Sequence, residues 1–211
     1  MINLLGGGPI NETWFEKLDK SGQWIGVDSG TVFLMNRNIR PEYAFGDFDS
    51  VTASEMDLIR QQVNHIHEEP PEKDMTDMEI ALNWALKKDQ PIRILGVTGG
   101  RQDHFFGNIQ LLLSHPALTH PHTIRIEDEN NQLTCHLPGS FTVEKNDQYP
   151  YLSFIPFTTE VKGLTLSGVK YPLKQQLITY GMTLTLSNEI VDDFASISFA
   201  DGILMMIRSR D

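Results

Sequence analysis

The chain has 211 residues, of which 40% are hydrophobic and 21% are charged, so it is long enough and apolar enough to bury a core. Its formal net charge of −11 argues against a nucleic-acid partner, because such binding depends on Lys and Arg side chains that neutralise phosphates. The single cysteine, Cys135, excludes an intrachain disulfide and a zinc site built on cysteines. These numbers predict a globular protein of a reducing compartment.

The first residues do not combine a basic segment with a long apolar one, as a secretory signal would. No run of the sequence approaches the roughly 18 apolar residues that a membrane-spanning helix needs. We therefore expect a cytoplasmic protein that does not associate with membranes.

Residues 1–128 alternate short apolar runs with helix-length segments, a pattern typical of βα units around a mainly parallel sheet. The predicted strands are Ile2 to Leu5, Trp24 to Val27, Tyr43 to Phe45, Val63 to His67, Ile92 to Val97 and Thr123 to Ile126. The predicted helices are Glu12 to Leu18, Thr31 to Asn36, Thr52 to Gln62, Thr76 to Lys88 and His104 to Ser114. This part of the chain is predicted to form an α/β domain.

Residues 129–211 consist of β-branched and aromatic pieces that turn residues interrupt about every eight to twelve positions. The predicted strands are Phe141 to Glu144, Tyr151 to Ile155, Thr183 to Leu186, Ile197 to Phe199 and Ile203 to Arg208. Asp201-Gly202 between the last two is a signal for a two-residue hairpin. We expect an all-β sandwich domain here.

Glycine and aspartate are concentrated directly after the predicted strands of the first domain. Because ligands of an open α/β sheet bind at the carboxyl ends of its strands, these residues are expected to share one edge. They are Gly6-Gly7-Gly8, Asp28-Ser29-Gly30, Gly46-Asp47-Phe48-Asp49-Ser50, Asp74 and Asp77, and Thr98-Gly99-Gly100-Arg101-Gln102-Asp103-His104. The polar, Pro-rich segment Glu68 to Lys73 leads into Asp74 and is predicted to be a mobile loop beside the site.

Asp47 and Asp49 are two residues apart, so an extended backbone would point both carboxylates to one side. Mg²⁺ prefers oxygen ligands and is usually held by one or two carboxylates together with substrate phosphates. The five residues around them are therefore a candidate magnesium site. Taken alone, they fit equally well a turn in which Asp49 or Ser50 caps the next helix.

Asp74 and Asp77 lie at the start of a predicted helix, where capping and the helix dipole alone favour carboxylates. A functional reading depends on convergence of several acids at the sheet edge. One like-charge pair at 4 Å costs roughly 4 kcal/mol at an effective dielectric constant of 20, so such a cluster implies a bound cation or raised pKa values. The acids concerned are Asp28, Asp47, Asp49, Asp77 and Asp103.

The segment Thr98-Gly99-Gly100-Arg101 lies between a predicted strand and a predicted helix. Backbone N–H groups there can hold phosphate oxygens, and Arg101 adds a fork of donors. The segment is not a Walker A loop, and Gly6-Gly7-Gly8 does not begin a Gly-x-Gly-x-x-Gly motif. His104, the one histidine inside a motif, fits either a phosphate contact or local helix packing.

The N-terminal motifs resemble, in the same order, the motif set of the thiamine pyrophosphokinase family. They are Asp28-Ser29-Gly30, Gly46-Asp47-Phe48-Asp49-Ser50, Lys73-Asp74-Met75-Thr76-Asp77 and Thr98-Gly99-Gly100-Arg101-Gln102-Asp103-His104. Two C-terminal segments resemble those by which the family's sandwich meets thiamine: Gly168-Val169-Lys170-Tyr171-Pro172-Leu173 and Leu186-Ser187-Asn188-Glu189. Ser29 and Leu186 depart mildly from the family pattern, which commonly has Gly and Thr at these positions.

The resemblance implies a homodimer whose active sites combine both subunits, with ATP and thiamine as substrates and Mg²⁺ as cofactor. The residues that correspond to its catalytic and Mg²⁺-binding carboxylates are Asp47, Asp49, Asp77 and Asp103. We assign to the nucleotide Asp28, Ser29, Gly30, Thr98, Gly99, Gly100, Arg101 and His104. We assign to thiamine Asp74, Ser187 and Asn188.

The reaction that the resemblance implies is attack of the thiamine hydroxyl on the β-phosphorus of ATP, with AMP as leaving group. Asp77 is a candidate acceptor for the hydroxyl proton. Three other functions stay open: a pyrophosphokinase acting on another hydroxymethyl heterocycle such as a pterin, a non-catalytic nucleotide-binding protein, and a kinase that transfers the γ-phosphate.

Overall fold

The computed structural model of the chain describes residues 1–68, 70 and 72–211. The described residues form two compact units, Met1–Glu129 and Asn130–Asp211. None of the helices in them is long and apolar enough to cross a membrane. The predicted mobile loop from Glu68 to Lys73 includes Glu69 and Pro71, which lie outside the described residues.

The first unit is an α/β domain with a parallel sheet, as predicted. Its strands are β1 (Ile2–Leu5), β2 (Gln23–Val27), β3 (Tyr43–Gly46), β4 (His65–Glu68), β5 (Ile92–Leu95) and β6 (Ile124–Glu127). Each neighbouring pair in the order β6-β5-β1-β2-β3-β4 is parallel. The helices are α1 (Glu12–Lys17), α2 (Ser29–Met35), α3 (Ala53–Gln62), α4 (Asp77–Ala85), α5 (Gln102–Leu112) and α6 (His115–Leu118).

The central strands β1 and β5 are buried at every residue, which is why their sequences are almost continuously apolar. The two polar exceptions bond to each other across the sheet. Arg93 Nε donates to Asn3 Oδ1 at 2.8 Å, and Arg93 Nη2 donates to the Asp19 carbonyl at 2.8 Å. These bonds satisfy groups whose burial would otherwise destabilise the sheet.

Two helices of this unit begin at threonine caps. Thr52 and Glu55 form a capping box at α3, and the Thr76 side chain accepts the Glu79 N–H at α4. The predicted strand Val63 to His67 begins too early. Val63 instead ends α3, where its N–H bonds to the Ile59 carbonyl, so the strand starts at His65.

The second unit is a β-sandwich of two antiparallel sheets, as predicted. Its strands are β7 (Asn131–His136), β8 (Gly139–Glu144), β9 (Tyr151–Pro156), β10 (Glu160–Ser167), β11 (Leu173–Thr179), β12 (Asn188–Glu189), β13 (Phe194–Phe199) and β14 (Leu204–Ser209). One sheet has the order β12-β9-β14-β7 and the other β11-β10-β13-β8. Phe154 and Met206 of the first sheet share one core with Leu164 and Ile197 of the second.

Two local predictions for this unit are wrong. Thr183 to Leu186 is a turn rather than a strand, because the Leu186 N–H bonds back to the Thr183 carbonyl. Asp201-Gly202 does not close a hairpin. It carries the chain from β13 in one sheet to β14 in the other, and Gly202 has the left-handed φ of +98° that this crossing requires.

Glycine is needed where α2 meets β1. A Cβ at Gly30 would lie 2.1 Å from the Leu5 carbonyl oxygen, whereas a Cβ at Gly107 in α5 would have no atom within 4 Å. We expect Gly30→Ala to lower the free energy of unfolding by about 1–3 kcal/mol through overpacking. Gly107→Ala should raise it by about 0.5–1 kcal/mol, since alanine favours the helix. Urea unfolding of both variants checks this; equal effects would contradict the described packing.

Candidate functional site

A cavity of about 1050 Å³ lies in the first unit. Its walls come from residues that follow β1, β2, β3, β4 and β5 and from helices α4 and α5. The structure therefore brings together at one edge the glycine-rich and acidic segments that the sequence pattern singled out. This is the carboxyl edge of the sheet, where ligands of open α/β folds bind.

Three carboxylates from three different connections meet in this cavity. One oxygen from each of Asp28, Asp47 and Asp77 lies within 4.8 Å of the others, and all three residues are half-buried. Asp28 precedes α2, Asp47 follows β3 and Asp77 is the first residue of α4. We refer to these three residues as the acid group.

Asp28 is the most perturbed member of the acid group. Burial, followed by the charges of Asp77 and Asp47, raises the pKa of its carboxyl from 3.8 to about 7. Asp28 Oδ1 is buried and has no hydrogen-bond partner. A buried, unpaired carboxylate oxygen beside two further carboxylates has the donor chemistry that a hard divalent cation prefers.

The glycine that precedes Asp47 makes room for Asp28. A Cβ at Gly46 would lie 2.1 Å from Asp28 Oδ1, and the φ of Gly46 is +154°. Gly46 is therefore required by the packing of a carboxylate that arrives from a different connection. The sequence pattern alone does not indicate that Asp28 is the group that approaches Gly46.

Asp49 does not join the acid group. Phe48 adopts a left-handed φ of +56° and buries its ring in the core, so the segment is not extended and the expected alternation is lost. The Asp49 N–H donates to Asp47 Oδ1 at 3.1 Å, while the Asp49 side chain is exposed. The extended backbone that the prediction for Asp47 and Asp49 assumed is therefore not present. The residue that caps the next helix is Thr52.

Asp103 lines the cavity but is neutralised locally. Arg101 Nε donates to Asp103 Oδ1 at 3.2 Å and Arg101 Nη2 donates to Asp103 Oδ2 at 2.6 Å. This pairing lowers the pKa of Asp103 to about 2. His104, which also lines the cavity, donates its backbone N–H to Asp103 Oδ1. The expected convergence of five aspartates is therefore limited to three.

The residues predicted to hold the nucleotide divide into two sets. Asp28, Ser29, Gly99, Gly100, Arg101 and His104 line the cavity. Gly30 is buried against the Leu5 carbonyl, and Thr98 is not among the lining residues that the structure describes. Gly30 therefore supports the packing of α2 and does not itself present a surface to a ligand.

Lys73 is a feature of the site to which the sequence reasoning gave no role. Its Nζ donates to Asp77 Oδ1 at 2.5 Å, and both side chains are largely buried, at 13% and 15% exposure. The four-residue spacing between a lysine and an aspartate at the start of a helix was the available signal. Asp74, predicted to bind substrate, is exposed and lines the same cavity.

In the second unit, Asn188 links the two segments that carry the C-terminal resemblance. Its Oδ1 accepts the N–H groups of Tyr171 and Glu189 at 3.0 and 2.9 Å, and its Nδ2 donates to the Tyr171 carbonyl at 2.9 Å. These bonds give the buried Asn188 side chain a structural role. Ser187 is exposed, has a left-handed φ of +54°, and donates its N–H to Ser153 Oγ.

The raised pKa of Asp28 predicts that the free energy of unfolding of the cation-free protein falls as the pH rises. Because the folded-state pKa lies above the unfolded value, the stability associated with the protonated carboxyl is complete below pH 4 and is lost as the pH rises to about 7. Asp28→Asn removes this loss and should gain about 1–2 kcal/mol at pH 8, after a discount for partial exposure.

Urea unfolding in a chelator from pH 5 to pH 8 measures this effect. The advantage of Asp28→Asn over the unaltered chain should grow through that interval. Asp57→Asn, at an exposed position of α3, is the matched control and should follow the unaltered chain. A difference between Asp28→Asn and the unaltered chain that does not change with pH would contradict the proposed charge repulsion.

The chain matches known proteins along nearly its whole length. Residues 15–125 match the family profile "Thiamin pyrophosphokinase, catalytic domain" and residues 140–204 match "Thiamin pyrophosphokinase, vitamin B1 binding domain". Thiamine pyrophosphokinase of Bacillus subtilis (strain 168) is 46% identical over 214 residues, which cover 100% of this chain and 99% of that protein.

Solved structures give the same result. The crystal structure of thiamine pyrophosphokinase from Bacillus subtilis has a TM-score of 0.89 at 44% identity, with 100% of this chain and 99% of that chain covered. A thiamin pyrophosphokinase family protein from Enterococcus faecalis has a TM-score of 0.88 at 30% identity, with the same coverage. The chain therefore belongs to the thiamine pyrophosphokinase family.

Proposed function

We propose that this chain transfers the diphosphate group of ATP to the hydroxyl of thiamine, forming thiamine diphosphate and AMP, with Mg²⁺ held in the acid group. The observation that carries the proposal is the convergence of Asp28, Asp47 and Asp77, with one buried oxygen unpaired, in a large cavity at the sheet edge. Thiamine and ATP as substrates follow from the family to which the chain belongs.

The metal assignment starts from Asp47 and Asp77, which the resemblance implies and the geometry supports. Asp28 is added because its carboxylate lies with theirs. Bound Mg²⁺ would neutralise charge on the transferred diphosphate. Asp49 and Asp103 stay proposals from the resemblance. Asp49 would have to leave its turn at Phe48 to reach the acid group, and Asp103 would have to leave Arg101.

The remaining cavity residues fit the positioning of a polyphosphate. Gly99 and Gly100 both have left-handed φ values, +73° and +64°, and precede Arg101, the N-cap of α5. Their N–H groups and the first turn of α5 are donors for phosphate oxygens, and Arg101 lies beside them. Positioning and charge neutralisation account for most of the catalysis in phosphoryl transfer.

The role of Asp77 changes in one respect from the sequence expectation. Its Oδ1 is engaged by the Lys73 ammonium at 2.5 Å, within a group of three carboxylates. Asp77 is therefore better suited to hold cations than to accept the proton of the thiamine hydroxyl. In the loose transition state of phosphoryl transfer, loss of that proton contributes less than alignment of the reacting groups.

Identification of the nucleotide product tests this function against its alternatives. The protein is incubated with Mg-ATP and thiamine, and the products are separated by anion-exchange chromatography. AMP together with thiamine diphosphate supports the proposal. ADP would indicate γ-phosphate transfer, tight ATP binding without turnover would indicate a nucleotide-binding protein, and turnover only with a hydroxymethylpterin would indicate the related pyrophosphokinase.

Loss of one carboxylate of the acid group should remove activity without unfolding the chain. We expect Asp47→Asn to lower kcat at least about a hundredfold, because the charge that neutralises the transferred group is lost. Asp57→Asn removes an exposed acid of α3, outside the cavity, and should retain full turnover. Steady-state assays with circular dichroism as a folding check measure both; near-normal turnover by Asp47→Asn would exclude the assigned metal site.

We also propose that the chain forms a homodimer with shared active sites, a state that the resemblance implies. Large exposed apolar side chains are concentrated between residues 171 and 194 of the second unit: Tyr171, Leu177, Tyr180, Met182, Leu184, Leu186, Val191 and Phe194. Their exposure ranges from 43% to 60%. A concentration of exposed apolar side chains is typical of a protein interface, and a second copy is the partner we assign to it.

Charge introduced into this segment should dissociate the dimer. We expect the double variant Tyr180→Glu with Leu184→Glu to elute as a monomer in size-exclusion chromatography with light scattering, because buried carboxylates would be unpaired. Leu137→Glu, at a similarly exposed position outside the segment, should stay dimeric. A monomeric unaltered chain, or an intact dimer in the double variant, would contradict the proposal.

A further inference from the structure

Lys73 forms an ion pair that is more buried than the other lysine ion pairs among the described residues. The side chains of Lys73 and Asp77 are 13% and 15% exposed, whereas those of Lys162 and Glu160 are 52% and 44% exposed. A largely buried charge that loses its partner is strongly destabilising, so Lys73 is expected to keep a negative partner at all times.

The partner that Lys73 has in this structure is a member of the acid group. Asp77 Oδ1, 2.5 Å from Lys73 Nζ, belongs to the residue whose carboxylate lies within 4.8 Å of those of Asp28 and Asp47. A divalent cation and the Lys73 ammonium therefore require the same small set of carboxylates. The positive charges of a cation bound by Asp77 and of the Lys73 ammonium would also repel each other.

The cavity contains a surplus of negative charge that a nucleotide would increase. Six carboxylates line it: Asp28, Asp47, Asp74, Asp77, Glu79 and Asp103. Among the lining residues that the structure describes, Lys73 and Arg101 are the two permanently basic ones. Arg101 pairs with Asp103, which is outside the acid group, whereas Lys73 pairs with Asp77, which is a member of it. A cation bound by Asp77 would therefore release Lys73, and not Arg101, for a phosphate.

We propose that Lys73 exchanges partners during binding: it pairs with Asp77 while no divalent cation is present, and it binds phosphate oxygens of the nucleotide once a cation occupies the acid group. This inference rests on the proposed function. Lysine suits such an exchange because its ammonium is a compact charge with three donors on a flexible four-carbon stem. Lys73 thereby couples the order of cation and nucleotide binding.

Lys73→Met retains the length of the side chain and removes its charge. The proposed exchange predicts that this variant binds Mn²⁺ more tightly and the nucleotide analogue more weakly. The affinity for Mn²⁺ alone should rise about fivefold or more, since a competing charge is removed. The affinity for α,β-methylene-ATP at saturating Mg²⁺ should fall at least about tenfold, since a charged hydrogen bond to phosphate is lost. A merely structural role for Lys73 would weaken both.

Two binding measurements on the full chain test this proposal. Free Mn²⁺ is followed by electron paramagnetic resonance during titration of the nucleotide-free protein, and binding of the nucleotide analogue is measured by calorimetry. Lys73→Arg, which retains the charge, should not show the combination of tighter Mn²⁺ binding and weaker nucleotide binding expected of Lys73→Met. Lys162→Met, which breaks an exposed pair in the second unit, should change neither affinity.

Unchanged or weaker Mn²⁺ binding by Lys73→Met would overturn the proposal, as would undiminished binding of the nucleotide analogue. Lys73→Gln replaces Lys73→Met if circular dichroism shows that the latter is unfolded. Asp47→Asn in the same Mn²⁺ titration distinguishes a failure of the proposed metal site from a failure of the proposed partner exchange. If Asp47→Asn binds Mn²⁺ like the unaltered chain, the metal site of the proposed function is wrong; if only Lys73→Met deviates from expectation, the partner exchange is wrong.

Discussion

Mutual repulsion among Asp28, Asp47 and Asp77 is the constraint on which the site depends. Each carboxylate belongs to a different connection of the parallel sheet, so the fold of the first unit brings together charges that would otherwise stay apart. The acid group is tolerated because Asp77 pairs with Lys73 and because burial raises the pKa of Asp28 to about 7. Both effects reduce the net negative charge of the acid group.

The surrounding structure is organised around that repulsion. Gly46 leaves space for the Asp28 carboxylate, Gly30 lets α2 approach β1 closely enough to place Asp28, and Thr76 begins α4 so that Asp77 is its first residue. Aspartate in the first turn of a helix is also favoured by the helix dipole. The same local features that stabilise the fold thus position charges for binding. At the three carboxylates, by contrast, mutual repulsion lowers the stability of the fold, while the same charges suit the binding of a cation.

Much of this arrangement could be predicted from the sequence, because the strands of a parallel sheet are short, apolar and followed by the residues of the site. Strand β1 and helix α4 follow directly from local patterns. The convergence of Asp28, Asp47 and Asp77 required in addition that the strand order place three connections side by side, which periodicity alone does not give. The family resemblance provided that information for Asp47 and Asp77.

The sequence predictions that the structure does not match have local physical causes. The left-handed backbone of Phe48 turns Asp49 away from the direction that an extended segment predicts, and a buried aromatic ring fixes that conformation. Asp103 is paired with a neighbour two residues away, a contact that no strand-end rule anticipates. Asp201-Gly202 is a turn, as its sequence indicates, but the two strands that it joins lie in different sheets and do not pair. A turn between two sheets and a hairpin turn have similar sequences.

The most direct test of the metal assignment is a crystal structure of the chain with Mn²⁺ and α,β-methylene-ATP, with anomalous diffraction used to locate the metal. The acid group predicts a peak bound by carboxylate oxygens of both Asp47 and Asp77, at metal-to-oxygen distances of roughly 2.0–2.3 Å. A metal that contacts neither of these residues would contradict the assignment, whatever the enzyme's activity.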